Sequence, residues 1–484
     1  MIFSKQQLIF DLPETGGRRA YFAEGERLTD NVEEWLGGGK ELRKEIDFPN
    51  LAEIQVLRHY TNLSNKNFGV ESGPYPLGSC TMKYNPKINE DIVAMPKLSQ
   101  IHPMQPEETV QGTLSLLKFH EEQLCEITGM DAYTFQPAAG AHGELTGVML
   151  IHAYHRDRGD EKRKYMLVPD SAHGTNPASA AMCGYIVREV KSTEKGEVDL
   201  EDLKAKMDDE VAGMMLTNPN TLGIFDSQVE EITKVVHDGG GLMYYDGANL
   251  NAILMHTRPG DMGFDVVHWN VHKTLSTPHG GGGPGAGPVG CKEFLAQYLP
   301  TPVLKERDGF YYWCHDLPKS VGRVRSFNGA VAVLLRSCAY VTALGADGLY
   351  EASEASVGNA NYLFAQLHEL FDNSVDSPVM HEFVLAGTRQ KKEYDVNTMD
   401  MAKGLIDCGL HPPTVYFPLT VPEAMMIEPT DTETREGLDQ LVEGFKKVAK
   451  MAKEDPEALR TAPHKTPVRR PDEVKAAKEL DLKL

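Results

Sequence analysis

No apolar run in the chain reaches the roughly 18 to 20 uninterrupted residues of a membrane span. The start, Met1-Ile2-Phe3-Ser4-Lys5, is not a charged stretch leading into a long apolar one. A cytoplasmic location and no membrane partner are therefore expected. Cysteine is sparse: Cys80, Cys125, Cys183, Cys291, Cys314, Cys338 and Cys408 are seven in 484 residues. They are odd in number and scattered, with no Cys-x-x-Cys pair and no histidine cluster at zinc spacing. That pattern excludes a disulfide framework or a structural zinc site and leaves reduced thiols, mostly in the core. Positive charge is short as well, with 49 Lys and Arg against 70 Asp and Glu and a formal charge of -21. Such a surface repels phosphate backbones, so nucleic acid is not an expected partner. The sequence has no internal repeat, and its longest glycine run lacks the Gly-Lys-Ser/Thr ending of a nucleotide-binding loop.

What is present is a chain long enough for two or three domains of ordinary soluble composition. Residues 1–109 read as an irregular N-terminal segment. Its stretch Gly69–Pro86 carries too many Gly and Pro for a helix or inner strand, and is expected to be an ordered loop packed through Tyr75, Met82 and Tyr84. Across 110–326, short apolar runs alternate with helical ones, the pattern of an α/β domain with a mainly parallel sheet. Strands are expected at Lys164–Pro169, Tyr185–Val190, Gly213–Thr217, Leu242–Asp246, Val266–Val271 and Gly287–Cys291, with a helix over Ser227–His237. Residues 327–455 read as a smaller α+β domain. It has a helical stretch from Phe327 to about Leu370 and a last amphipathic helix burying Leu438, Leu441, Val442, Phe445 and Val448 behind a Thr430/Glu433 capping box. Residues 456–484 are expected to be an exposed tail.

In open α/β sheets ligands sit beyond the carboxyl ends of the strands. One such end reads His272-Lys273-Thr274, followed by Gly280–Gly283. A lysine delivered there is either a surface residue or, with the glycine run letting backbone approach a ligand, an amine desolvated enough to act as a nucleophile. Asp246 precedes Lys273 by 27 positions, about one strand-crossover-strand unit. It either caps the next segment or serves as the carboxylate that keeps a pyridine nitrogen protonated. His173 lies past another strand end with Ser171, Thr175 and Asn176 beside it, as a structural turn residue or as a flat ring stacked on a flat cofactor. Phe135–Gly143 leads into a helix with Leu145, Val148, Met149 and His152 at helical spacing. Ala139 and Gly140 at its start are small enough for a phosphate to approach the free N–H groups. Thr217-Asn218-Pro219-Asn220 offers hydrogen bonds to a cofactor oxygen, or is a turn.

The order of cradle, histidine, aspartate and lysine resembles that of fold-type I pyridoxal 5'-phosphate enzymes. The stretches Tyr75–Pro86 (YPLGSCTMKYNP), Ser171–Ala180 (SAHGTNPASA) and Asn270–Gly285 (NVHKTLSTPHGGGGPG) resemble the P-protein family of the glycine cleavage system, over at least Tyr60–Pro429. The likeness is to the carboxyl half of the single-chain form, and so to the second subunit of the split form. It implies decarboxylation of glycine, transfer of the aminomethyl group to the lipoyl arm of H-protein with release of carbon dioxide, and pairing with a first subunit, two of each. Lys273, His173 and Asp246 are the implied catalytic residues. Ala139, Gly140, His173, Thr217, Asp246, His272 and Lys273 are the implied cofactor contacts. Ser79, Thr81, Lys83 and His102 are substrate candidates, and no metal is implied. Two alternatives stay open on residues alone: a transaminase of the same fold using Arg323 or Arg325 for a keto acid, and a non-catalytic scaffold.

Overall fold

The computed structural model describes residues 7–13, 48–79, 85–278, 285–375 and 378–480. Chain contacts separate two units: Met1–Ser72 with His464–Leu484, and Gly73–Pro463. The first has as its main described elements the helices Glu53–Ser64 and Glu473–Lys478. Asp472 opens the latter by accepting from the Lys475 N–H.

The second unit is built on a seven-stranded sheet of β1 (Ala132–Thr134), β2 (Tyr165–Pro169), β3 (Ile186–Val190), β4 (Val211–Thr217), β5 (Leu242–Gly247), β6 (Val266–Trp269) and β7 (Val289–Cys291), in the order β1-β7-β6-β5-β4-β2-β3. From β6 to β3 the neighbours are parallel, while β7 runs antiparallel to both β6 and β1. The central strands β4, β5 and β6 are buried along their whole length because both faces are covered, whereas the edge strand β3 carries Arg188 and Glu189. Alternation within β5 shows how: Met243 and Tyr245 enter one core, Tyr244 the other. Chain order reverses between β2 and β4, which places a crevice at their carboxyl ends.

Helix Gly140–Asp157 (α1) lies over the Tyr244 face. Of the expected apolar stripe only Val148 is buried: His152 is exposed and Leu145 and Met149 are half-buried, whereas Gly143, Gly147 and Ile151 join Val148 in the buried face. Glycines form the contact because the helix lies close. A Cβ on Gly147 would come within 2.5 Å of the Tyr244 ring. The strand expected to run to Val271 stops at Trp269, and Lys273 sits instead on a single helical turn, Val271–Thr274 (α3), with helix Thr175–Met182 (α2) preceding it in the chain.

After the hairpin β8 (Val303–Arg307) and β9 (Phe310–Cys314), a long helix Val331–Leu367 (α4) breaks at Gly345, whose φ of 62° only glycine adopts without strain. By length and composition one window of α4 would suit a membrane span, and it packs here against helix Gln111–Thr128 and the carboxyl-terminal helix. A second, antiparallel sheet orders β10 (Asp372–Asn373), β11 (Phe383–Ala386), β13 (Ala424–Ile427) and β12 (Thr414–Val415) as β10-β11-β13-β12. Helix Arg435–Glu454 (α5) buries the five expected side chains against it, each contributing roughly 1.5–3 kcal/mol of transfer free energy. Its cap is Thr434, which accepts from the Gly437 N–H; Thr430 bonds the Pro429 carbonyl instead, so the expected capping box does not form. Nor does the exposed tail begin at 456. Helix Pro456–Arg460 inserts Leu459, fully buried, where Gly404 leaves room for it.

Candidate active site

A cavity of about 260 Å³ opens at the carboxyl ends of β2, β4 and β5 and the start of α1. It is slightly smaller than the range of drug-sized pockets, and its wall carries polar groups in unusual density. Lys273, Asp246, His173, Thr217, His272, Ala139 and Gly140 all line it, together with Ser79. Residues from distant stretches of the sequence thus meet because parallel strands end side by side.

Asp246 is 2% exposed at the end of β5, where Oδ1 accepts from the Ala248 N–H at 3.0 Å and lies 3.5 Å from His268 Nε2. Behind it, buried Tyr244 pairs with His268 Nδ1, and Asn270 Nδ2 meets His268 Nε2 at 3.0 Å. Burial holds the His268 ring below the ordinary histidine range, opposed by Asp246. Lys273 is half-buried, and no hydrogen bond or ion pair holds its Nζ among the described residues.

His173 follows β2 through a turn in which the Ala172 N–H donates to the Pro169 carbonyl. Thr221 pins that turn by donating to the Ser171 carbonyl at 2.8 Å. The His173 ring stands 5.4 Å from Phe417 and is accessible on its cavity side. The surrounding walls lower its proton affinity, against the opposing charge of Asp246. Thr175 lies beside it as expected, with Oγ1 2.9 Å from Nδ1.

Ala139 is the extended residue before α1, and Gly140 is its first residue. A side chain at Gly140 would overlap Asn270 Oδ1, so glycine is required there. The first-turn N–H groups of α1 have no partner within the helix and attract an anion. In the Thr217–Asn220 stretch the turn reading is seen in the two asparagines. Asn218 and Asn220 are spent on the turn, accepting from the N–H groups of Asp226 and of Leu222. Thr217 Oγ1 is buried without a partner among the described residues.

The substrate candidates divide. The Ser79 N–H donates to buried Glu382 at 2.7 Å and the residue lines the cavity. Tyr75 of the same loop packs on His411 with ring centres 4.1 Å apart. Thr81, Lys83, Met82, Tyr84 and the run Gly280–Gly283 lie outside the described residues. His102 is not in the wall: it is exposed, and its Nδ1 accepts from the Met104 N–H. Neither Arg323 nor Arg325 lines the cavity, which removes the observation that favoured a transaminase. Sequence reasoning missed Asn249, Asn270 and above all Glu144, a carboxyl buried in the wall and pushed up to about 8 by burial and then by Asp246. Its one signal is an acidic residue set between Gly143 and Gly147 on a face that must pack.

Residues 38–305 match the family model described as glycine cleavage system P-protein, and residues 352–466 match that of glycine dehydrogenase, C-terminal domain. The probable glycine dehydrogenase (decarboxylating) subunit 2 of Caldanaerobacter subterraneus subsp. tengcongensis is 57% identical over 99% of this chain and 98% of its own length. The protein of the same description from Alkaliphilus oremlandii is 52% identical over 99% and 98%. Among solved structures, a glycine decarboxylase (P-protein) of the glycine cleavage system in inhibitor-bound form superposes with a TM-score of 0.69 at 21% identity, over 87% of this chain and 93% of that one. A NifS-like protein gives 0.60 at 12% identity, over 78% and 100%. These two share the fold.

Proposed function

The chain belongs to the glycine cleavage system P-protein family, and from that premise we propose that it is the cofactor-bearing subunit of a two-subunit glycine decarboxylase. It decarboxylates glycine, releases carbon dioxide and passes the aminomethyl group to the lipoyl arm of H-protein. One observation carries the assignment of residues: Lys273, Asp246, His173 and Thr217 share one cavity wall with the start of α1.

That wall fits pyridoxal 5'-phosphate by its unspent polar groups. Thr217 Oγ1 and the Lys273 amine have no partner among the described residues, and a helix start kept bare by Gly140 suits a phosphate. Lys273 would carry the cofactor covalently, and its return as a free amine lets it hold a proton during turnover. When bound, the cofactor supplies an electron sink for the pair released as carbon dioxide leaves. Asp246, fixed by the Ala248 N–H and backed by His268, would supply the carboxylate that keeps the cofactor's pyridine nitrogen protonated. His173 would supply a flat ring beside the cofactor, Thr217 would offer it a hydrogen bond, and His272 flanks the lysine. The N–H groups of α1 hold the phosphate, favoured by about 0.3–2 kcal/mol through the helix dipole. Ser79, which lines the cavity, would serve the substrate, with Thr81 and Lys83 of its loop as further candidates.

Borohydride reduction of the chain saturated with pyridoxal phosphate, followed by peptide mass spectrometry, is expected to leave a pyridoxyl group on Lys273; an unmodified Lys273 would sink the assignment. Exchange of the glycine carboxylate with labelled bicarbonate is expected to be slight with this chain alone and full once the first subunit and lipoylated H-protein are added. Full exchange by the chain alone would contradict the two-subunit reading.

A further inference from the structure

Glu144 lines the cavity, yet the chemistry above gives it no task. It lies one turn into α1, 5% exposed, on the side flanked by Gly143 and Gly147 that packs on the sheet. Its Oε1 is 2.9 Å from Thr175 Oγ1, and its Oε2 is buried with no partner among the described residues. Thr175 Oγ1 is in turn 2.9 Å from His173 Nδ1, and the Thr175 N–H points at that same nitrogen from 3.2 Å.

Counting protons along this chain leaves one consistent arrangement. The backbone N–H always carries its hydrogen, so Nδ1 must be an acceptor and bear none. The short contact between Nδ1 and Oγ1 then needs the threonine's own proton. With that proton spent, the contact between Oγ1 and Oε1 needs another, and the carboxyl group is its source. Were Glu144 ionised, the hydroxyl would turn to it. His173 Nδ1 would then keep only the backbone N–H as its donor, and the ring would lose the hydroxyl that fixes it as an acceptor.

We propose that Glu144 is a positioning residue: as a neutral acid it donates to Thr175 Oγ1, Thr175 donates to His173 Nδ1, and the His173 ring is thereby held with its proton on Nε2. The surroundings agree. Asp246 and Tyr244 act on Glu144 from β5, Lys273 from α3, and Thr175 from the segment entering α2. Burial and the Asp246 charge raise the Glu144 carboxyl to about 8, against the weaker pull of Thr175 and Lys273. The cavity walls also lower the proton affinity of His173, against the charge of Asp246. The purpose of the device, a flat ring of fixed tautomer with one defined donor in the wall, rests on the cofactor reading. The proton arrangement itself does not.

The test uses the full-length chain with ¹⁵N-labelled histidine, without cofactor, the His173 ring signals being assigned by their loss in His173→Asn. At pH 7 the Nδ1 resonance is expected in the acceptor range. It should move toward the proton-bearing range as pH rises through about 8, where Glu144 ionises. In Glu144→Gln the amide N–H replaces the acid as donor, so Nδ1 should stay in the acceptor range to pH 9.5. In Glu144→Ala a mixture of tautomers is expected at every pH. A proton on Nδ1 at pH 7 in the unmodified chain, or the same titration with and without Glu144→Gln, overturns the proposal. Borohydride labelling of Lys273 is read in parallel. Its failure with a fixed His173 tautomer would refute the cofactor reading and leave the proton chain standing.

Discussion

Thr217 ends β4 with a hydroxyl that is buried and bonded to nothing among the described residues, a state that costs about 1–3 kcal/mol. Valine has nearly the same shape without the hydroxyl. Thr217→Val is therefore expected to leave the melting temperature of the cofactor-free chain unchanged or raised. It should weaken pyridoxal phosphate binding about 2- to 10-fold, the worth of one hydrogen bond of about 0.5–1.5 kcal/mol. Calorimetry and an absorbance titration read the two effects, and a lowered melting point with unchanged affinity would mean that the hydroxyl serves the fold. At this scale the sequence was informative wherever a residue type is tied to a chemical task. Lys273, Asp246 and His173 carry groups few other residues supply. Glu144 stayed hidden because a glutamate in a helix is ordinarily a solvated surface residue, and only the sheet beneath α1 makes it a buried one.

At the scale of the element, α1 couples the sheet to the candidate cradle. Its buried face joins Gly143 and Gly147 to Val148 and Ile151, while Leu145, Met149 and His152 lie toward the half-open side. A helix that must lie close to a tyrosine-bearing strand uses the absence of side chains, which a hydrophobic pattern does not register. Gly147→Val forces atoms into the Tyr244 ring and the Val266 side chain. It is expected to cost about 1–3 kcal/mol in urea unfolding and to reduce borohydride labelling of Lys273 by shifting the cradle. Gly112→Ala, in a helix position with nothing within 4 Å, is the control and should stabilise by up to about 1 kcal/mol. Equal effects from the two substitutions would show that close packing is not what Gly147 provides.

Across the whole molecule, buried histidines tie stability to pH. His120, held between Gln123 and Ser337, and His155, bonded to the Ala212 carbonyl, are both lowered by burial from the ordinary 6.5 to about 4. Between those values the unfolded chain binds the more protons, so stability rises with pH across the window and is lost as pH falls from 6.5 toward 4. Each ring contributes on the order of 1–3 kcal/mol. Urea unfolding at pH 7 and pH 4.5 is expected to show the loss, with a shallower slope in His155→Gln; an unchanged slope would place the pH dependence elsewhere.

The sequence by itself determined the alternation of strands and helices, the order in which lysine, aspartate, histidine and cradle follow one another, and the family. These are encoded locally, in period-2 and period-3.6 patterns and in short runs of particular residues. Only the tertiary structure decided which side chains share a wall. The reversal of strand order between β2 and β4 brings together residues more than a hundred positions apart, admitting Ser79 and Glu144 and leaving out His102, Arg323 and Arg325. Proximity in a parallel sheet is set by strand order and register, and neither is written in any one stretch of the chain.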